Sequence, residues 1–385
     1  MIRFILFSTT ISFRGVDGSR LVALVSKSQY YCPDFILKVK VIDKLMNILG
    51  IESSCDETAA GVVRNGSELL SNVISSQVDI HARFGGIVPE LASRQHVLQI
   101  DSVIEHALNE AKVDLKSLSA IAVTEGPGLA GALMVGLNTA KSLAWARDIP
   151  LIGINHLEGH IYAAWLEYED PAEKPGFPLM CLIASGGHTE LILMTGHGNY
   201  TAVGRTRDDA AGEAFDKGAR LLGLGFPGGP AIQNTAQGAT EAEKFPRAWL
   251  GDTFDFSFSG LKTSLLHRTQ KLSDDSFDQS GRMKKSVIAS QAAAYQESIA
   301  DVLSEKAIRA AKRYKAKGIL IGGGVAANSR LRELIDQRSP IPTLIPKNSL
   351  CTDNGAMIAA AALYHLENGE RSSFDIDVTP NMSLA

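Results

Sequence analysis

The stretch Pro150-Leu151-Ile152-Gly153-Ile154-Asn155-His156-Leu157-Glu158-Gly159-His160 carries an apolar strand signal that passes without a turn into a helix signal. Ile161, Ala164 and Trp165 continue an apolar side at helical spacing, so the helix is expected over 156–166. Strand running into helix is the unit of an α/β fold. Two histidines four apart leave a helix on one face, separated by about 40° of rotation and one turn of rise. That geometry lets two imidazoles share a metal, as the first half of a three-ligand site. Taken alone, His156 and His160 read equally well as capping or core histidines.

Working back toward the amino terminus, a strand is expected over 120–124, followed by the turn Gly126-Pro127-Gly128 and a small-residue helix over 129–147. Before these come strands over 46–51, 58–64 and 68–75, with Asn65-Gly66 a strong hairpin turn. The first two strands are joined by the tight polar link Glu52-Ser53-Ser54-Cys55-Asp56-Glu57, and residues 95–112 have helical periodicity. Working forward, strands over 179–184 and 190–195 flank Ser185-Gly186-Gly187-His188-Thr189. This repeats the logic of the first block and points to an internal duplication.

Further on, residues 208–222 read as helix, 225–230 as a Gly/Pro loop, and 254–260 as the lead into another helix. A polar surface loop is expected over 271–285 and a long helix over 286–314. A strand over 318–321 enters Gly322-Gly323-Gly324-Val325-Ala326-Ala327-Asn328, then a helix to about 337, a strand over 343–345 and an alanine-rich helix over 353–367. Asp353 at the head of that helix reads as its N-cap.

At 385 residues the chain has room for two domains. Hydrophobic content of 45% with 21% charged residues is that of a globular enzyme. No apolar run approaches the roughly 20 residues of a membrane helix, so no membrane partner is expected. Cys32, Cys55, Cys181 and Cys351 lie far apart with no Cys-x-x-Cys. That argues against a disulfide framework or zinc ribbon and suits a reducing, cytoplasmic setting.

Residues 1–45 carry Arg3, Arg14, Arg20, Lys27, Lys38, Lys40 and Lys44 against Asp17, Asp34 and Asp43, a net +4; the rest of the chain is −8. Met46 opens a self-contained strand signal. Residues 1–45 are therefore expected to be an extension, disordered or outside the natural product, with an organellar transit peptide left open.

Three small-residue turns leaving apolar strands are what a nucleotide site needs, because backbone N–H groups there are fixed donors to anionic oxygens. None is a P-loop and none is a Rossmann fingerprint. Asn328 and Arg330, at a helix start, are candidates to read a purine or ribose.

Together the motifs resemble a known family. They are Gly50-Ile51-Glu52-Ser53-Ser54-Cys55-Asp56-Glu57-Thr58, Gly85-Gly86-Ile87-Val88-Pro89-Glu90-Leu91-Ala92-Ser93-Arg94, Glu125-Gly126-Pro127-Gly128-Leu129 and His156-Leu157-Glu158-Gly159-His160. After them come Ser185-Gly186-Gly187-His188-Thr189, Asp208-Asp209-Ala210-Ala211-Gly212-Glu213-Ala214-Phe215-Asp216-Lys217, Phe256-Ser257-Phe258-Ser259-Gly260-Leu261-Lys262-Thr263, the Gly322 turn and Cys351-Thr352-Asp353-Asn354-Gly355-Ala356-Met357. In this order they resemble the tRNA adenosine threonylcarbamoyltransferase family, long described as O-sialoglycoprotein endopeptidase, within the actin-like ATPase (sugar kinase and heat-shock-protein) fold. Only residues 1–45 fall outside the pattern.

The resemblance implies an α/β fold of two duplicated actin-like lobes with a nucleotide cleft between them. The first lobe would be 46–155, completed by the segment near 365–385, and the second 156–364. The resemblance also implies one divalent ion per chain, iron or zinc, on His156, His160 and Asp353. Threonylcarbamoyl-adenylate, the bound substrate, would lie along Ile183, Ala184, Ser185, Gly186 and Gly187, with Asp216, Gly229 and Asn328 on the adenylate. The implied reaction transfers threonylcarbamoyl to the exocyclic amine of adenosine 37, next to the anticodon, in tRNAs reading codons that begin with adenine. Asp56 and Glu57, at the tip of the first hairpin, are candidates to orient that amine or accept its proton, against a solvated turn as the plain alternative.

A tRNA binder normally shows a basic footprint. The best candidates are Arg282, Lys284 and Lys285, then Lys306, Arg309, Lys312, Arg313, Lys315 and Lys317, which read equally as the solvated face of a helix. The acidic balance suggests that tRNA is not held by this chain alone. The implied partners are tRNA, a shorter actin-like paralogue and a small P-loop ATPase.

Three rival classes fit the residues less well. A metalloprotease needs His-Glu-x-x-His, but Leu157 holds the glutamate position, and Glu158 lies about 200° around the helix from both histidines. An actin-like ATPase or kinase would explain the glycine turns but not the histidine pair. A non-catalytic paralogue would be expected to lack His156, His160 and Asp353.

Overall fold

The computed structural model describes residues 45–168, 170–239 and 244–385, and three strands nearer the amino terminus. These are β1 (Ser8–Arg14), β2 (Arg20–Ser26) and β3 (Lys40–Ile42), an antiparallel sheet in the order β1-β2-β3. They belong to a compact unit, Met1–Met46, separate from a second unit, Asn47–Ala385. The expectation that residues 1–45 are an extension falls largely outside the described residues.

The larger unit opens with β4 (Asn47–Glu52), β5 (Glu57–Arg64) and β6 (Glu68–Ser76). Asn65 and Gly66 both have positive φ, 51° and 72°, which the tight β5–β6 turn needs and Asn-Gly supplies cheaply. After α1 (Val78–Ala82) and α2 (Pro89–Ala111) come β7 (Ala120–Gly126), α3 (Ala130–Arg147) and β8 (Leu151–Asn155). The sheet order is β6-β5-β4-β7-β8, antiparallel through the hairpins and parallel from β4 to β8. Ile100, Val103 and Ile104 of α2 and Leu137 and Ala140 of α3 bury against Leu49, Ile51, Ala60 and Val62 on one face.

The second half begins with α4 (His156–Tyr162), then β9 (Leu179–Ala184), β10 (Thr189–Gly196) and β11 (Asn199–Arg205). Helices α5 (Ala211–Leu221), α6 (Gly228–Ala236), α7 (Ser259–Gln270) and α8 (Lys285–Arg313) follow. The chain then forms β12 (Gly318–Gly322), α9 (Ser329–Arg338), β13 (Thr343–Leu344), α10 (Asn348–Cys351) and α11 (Gly355–Glu367). This sheet runs β11-β10-β9-β12-β13, with the same antiparallel and parallel pattern as the first. The same strand order twice in one chain is the duplicated, two-lobed actin-like α/β fold.

Helix α11 follows the second sheet in sequence but lies on the first. A Cβ at Gly50 would stand 2.1 Å from Gly355 O and 2.5 Å from Ala359 N, and one at Gly355 would stand 2.4 Å from Gly61 N. Backbone meets backbone there, which only glycine permits. The carboxyl-terminal segment also returns to the first sheet, where Ser372 Oγ accepts a 2.9 Å bond from Gly153 N.

Several local expectations change. Residues 225–230, read as a loop, include the start of α6. Pro230 falls in its first turn, where a missing N–H costs nothing. Strand β11 is mostly exposed and shows no apolar run, which hid it from pattern reading. The helix at 156–166 is α4 followed by a tighter 3₁₀ turn over Ala163–Leu166. Asn354, not Asp353, caps α11, accepting a 2.9 Å bond from Met357 N. Among the described residues, no helix is long and apolar enough to cross a membrane.

Candidate active site

Strand β8 delivers Asn155, whose side chain accepts a 2.9 Å bond from Leu157 N and caps α4. The next residue is His156, and His160 follows one turn later, the two rings standing edge to face at 4.7 Å. Asp353, on the link between α10 and α11, brings Oδ1 to 3.5 Å from His156 Nε2 and 3.2 Å from His160 Nε2. Donor atoms of all three lie within 4.8 Å of one another. Because Asn354 does the capping, the Asp353 carboxylate is free to face the histidines.

His160 is fully buried, and among the described residues neither ring nitrogen makes a well-formed hydrogen bond. Its close polar neighbour is the Asp353 carboxylate, 3.2 Å from Nε2. An orphaned buried polar atom costs about 1–3 kcal/mol. Two imidazoles and a carboxylate around a point that would satisfy His160 fit a divalent ion of the zinc or iron type.

Sequence reading gave Glu52 no role, yet it anchors this cluster. It is fully buried at the end of β4, and its Oε2 accepts from His156 Nδ1 at 2.9 Å and from Thr124 Oγ1 at 2.6 Å. Ser54 N donates to Oε1. In its neutral form, with the proton held on Nδ1 by Glu52, His156 would present a bare Nε2 toward Asp353, as a metal ligand requires. Burial pushes the Glu52 carboxyl up, but the adjacent His156 outweighs it and holds the pKa below the ordinary range. Burial lowers His156 while the Asp353 and Glu52 charges raise it to about 9. Burial likewise raises Asp353, and the histidines bring it down to about 2. The available signal was a carboxylate ending an otherwise apolar central strand, a costly burial that demands a partner.

A cleft of about 470 Å³ opens beside this cluster. Its first-lobe wall is the β4–β5 tip, Ser54 to Glu57, with Pro127, Gly128 and Leu129. Its second-lobe wall is the Ser185–His188 turn, Glu213 and Asp216 of α5, and Phe226 and Pro227; His156 and Asp353 also line it. Asp56 and Glu57 therefore share a cavity with His156 and Asp353 of the candidate metal cluster. Burial, then the charges of Asp56 and Asp353, push Glu57 up to about 9. Ser76 Oγ donates to its Oε1 at 2.8 Å. His188, quoted in a motif but given no role, also faces the cleft, and burial followed by the nearby histidines lowers it to about 4.

A second cavity of about 370 Å³ shares Gly186, Asp216, Pro227, Gly324 and Thr352 with the first and runs on past Gly229, Gln233 and Asn328. Cβ atoms placed at Gly186, Gly187, Gly229 and Gly324 would meet nothing within 4 Å, so the open space there is kept by the absence of side chains. Of the nucleotide candidates, Gly186, Asp216, Gly229 and Asn328 line this cavity, while Ser185 and Gly187 line the cleft. Ile183 and Ala184 are fully buried in β9 and line neither.

Burial raises the Asp216 carboxyl, whose Oδ1 accepts from Gly228 N at 2.6 Å. Asn328 spends its amide internally, Oδ1 capping α9 at Leu331 N and Nδ2 donating to Gln296. Arg330 turns to Glu297 and Glu333 and does not line the cavity.

Glu158 is buried on the opposite side of α4, accepting from Tyr200 OH at 2.6 Å and pairing with His365 Nε2 at 2.9 Å. Both oxygens are committed away from the histidine pair, so it cannot serve as the base of a zinc protease. Lys306, one of the basic candidates on α8, is buried and donates to the Asp255 carbonyl. It is therefore no phosphate contact.

The model of the tRNA N6-adenosine threonylcarbamoyltransferase (TsaD) family matches residues 68–360. Proteins of that name are 54% identical over 354 residues in Thermomicrobium roseum (88% of this chain, 97% of that protein) and 52% over 339 residues in Dehalococcoides mccartyi (88% and 99%). One from Bacillus cereus is 48% identical over 351 residues (89% and 98%). Among solved structures, HypF of T. kodakarensis superposes with a TM-score of 0.56 at 15% identity, over 84% of this chain and 48% of HypF. That likeness is one of fold alone, and the chain spans about half the length of HypF. With identity near half over almost the whole of these relatives, the chain belongs to the tRNA N6-adenosine threonylcarbamoyltransferase family.

Proposed function

We propose that the chain transfers threonylcarbamoyl from threonylcarbamoyl-adenylate to the exocyclic amine of adenosine 37 in tRNA, giving N6-threonylcarbamoyladenosine. The observation that carries this reading is the buried His160 grouped with His156 and Asp353, the latter two lining a cleft that shares residues with a glycine-walled cavity. A sugar kinase or ATPase site has use for the glycine walls but not for a two-imidazole, one-carboxylate cluster.

His156, His160 and Asp353 would hold the ion, iron or zinc, which when bound supplies a Lewis acid and a template for substrate oxygens. The chain's own groups do the rest. The turn around Gly186 and Gly187 leaves room for anionic oxygens close to its backbone N–H groups, and the cavity past Gly229 and Asn328 takes the adenosine. In the transfer, the adenosine nitrogen bonds to the carbamoyl carbon, the carbon–oxygen bond to the adenylate phosphate breaks, and one amine proton must leave. Burial and the neighbouring Asp56 charge favour the protonated form of Glu57, which suits it to orient or donate. Asp56 is then the acceptor of the amine proton.

A shorter actin-like paralogue would find exposed apolar side chains on α2 and α3. Val97, Leu98, Met134 and Trp145 are exposed there, an apolar set of the kind that marks protein contact. A small P-loop ATPase and a cytoplasmic setting complete the reading. The test is to combine the purified chain and its partners with threonylcarbamoyl-adenylate and unmodified tRNA and analyse the nucleosides by mass spectrometry. Absence of the modified adenosine, with ATP turnover instead, would favour the kinase-type reading.

A further inference from the structure

The cleft wall that carries Asp56 and Glu57 is a hairpin tip, and a tip of that kind needs support from outside its own strands. His96 supplies it from α2. The ring is fully buried, with Nε2 at 3.0 Å from the Cys55 carbonyl oxygen and Nδ1 at 2.8 Å from Thr58 Oγ1. A carbonyl only accepts, so Nε2 carries the proton and Nδ1 accepts from the Thr58 hydroxyl. Burial lowers the imidazole's pKa and keeps it in this neutral form. The two contacts bracket Asp56 and Glu57, one residue before the pair and one after. The neighbouring strand holds the pair from the other side, with Gln77 N donating to the Asp56 carbonyl at 3.0 Å and Ser76 Oγ to Glu57.

We propose that His96 is a positioning residue for the transfer reaction, acting through the Cys55 carbonyl and the Thr58 hydroxyl to set where the Asp56 and Glu57 carboxyl groups stand in the cleft. The inference rests on the proposed function of that pair. His96 touches none of the metal candidates and lines neither cavity, so its effect should fall on the chemical step and not on binding.

The experiment measures kcat and KM with the full chain, its partner proteins, tRNA and threonylcarbamoyl-adenylate, alongside metal content and melting temperature. Glutamine at position 96 places its amide nitrogen where Nε2 stood and can still donate to Cys55, whereas asparagine stops short. His96→Asn should therefore lower kcat about 10- to 100-fold, as small misplacements of catalytic groups do, with KM for tRNA and metal content unchanged. His96→Gln should recover most of that loss. Thr58→Val, which keeps the shape of the strand and removes the bond that holds the ring, should lower kcat in the same direction, and it keeps the test usable if His96→Asn does not fold. Unchanged kcat in His96→Asn and Thr58→Val, or equal loss in His96→Asn and His96→Gln, overturns the inference. Asp56→Asn and Glu57→Gln separate the two levels. If both retain full kcat, the reading of the pair fails and this inference falls with it; if they lose kcat while the position 96 and 58 variants do not, the inference alone fails.

Discussion

Glu52 Oε2 stands 2.9 Å from His156 Nδ1 across 104 residues of chain, both groups buried. The pair orients the imidazole and ties the end of a first-lobe strand to the first residue of α4, the helix that carries both candidate metal-binding histidines.

Glu52→Gln should lower metal affinity by about 10- to 100-fold, the usual cost of removing a carboxylate behind a ligating histidine. Elemental analysis and metal titration of the purified variant check this. His156→Ala should do more and leave the protein essentially metal-free, because two remaining ligands rarely hold a divalent ion. Undiminished metal in His156→Ala would remove the proposed site.

Gly50→Ala should destabilise the larger unit by about 1–3 kcal/mol or more, because overpacking forces backbone to shift. The new methyl would lie 2.1 Å from Gly355 O, where no flexible side chain can give way. A fall in melting temperature, with lost activity tracking lost fold, is the expected result.

Stability should fall as pH rises from neutral toward 9 through the pair Glu158–His365. Burial lowers the His365 pKa, but Glu158 and Glu370 outweigh it and bring it to about 9, against 6.5 for a free histidine. Between those values the folded state binds more protons than the unfolded state, so the contribution is complete below about 6.5 and lost as pH passes 9. Denaturant unfolding from pH 6 to 10 should show this slope, and His365→Gln should reduce it, His156 and Glu57 supplying the rest.

A chain beginning at Met46 should fold and retain transfer activity, because residues 47–385 form a compact unit of their own. Insolubility or inactivity of that truncation, measured beside the full chain, would make the amino-terminal strands part of the working protein.

Local chemistry was legible in the amino-acid sequence. The Asn65-Gly66 turn, the two hairpin blocks and the four-residue spacing of His156 and His160 depend on neighbours within a few positions, and all are present as read. The duplication could be inferred from the repeated blocks, although the exposed strand β11 that completes the second sheet carries no apolar pattern. The metal set was legible only through family resemblance, since by residue pattern Asp353 reads as a helix cap. Tertiary structure decided otherwise: Asn354 takes the cap, and the return of α11 to β4 and β5 over Gly50 and Gly61 accompanies an Asp353 carboxylate that meets histidines nearly 200 positions earlier. Glu52, His188 and His96 likewise gain their roles from partners distant in the chain. Periodicity records which face of an element is apolar. Which buried polar groups end up facing one another is set by the packing of the lobes, where each must find a partner because water is excluded.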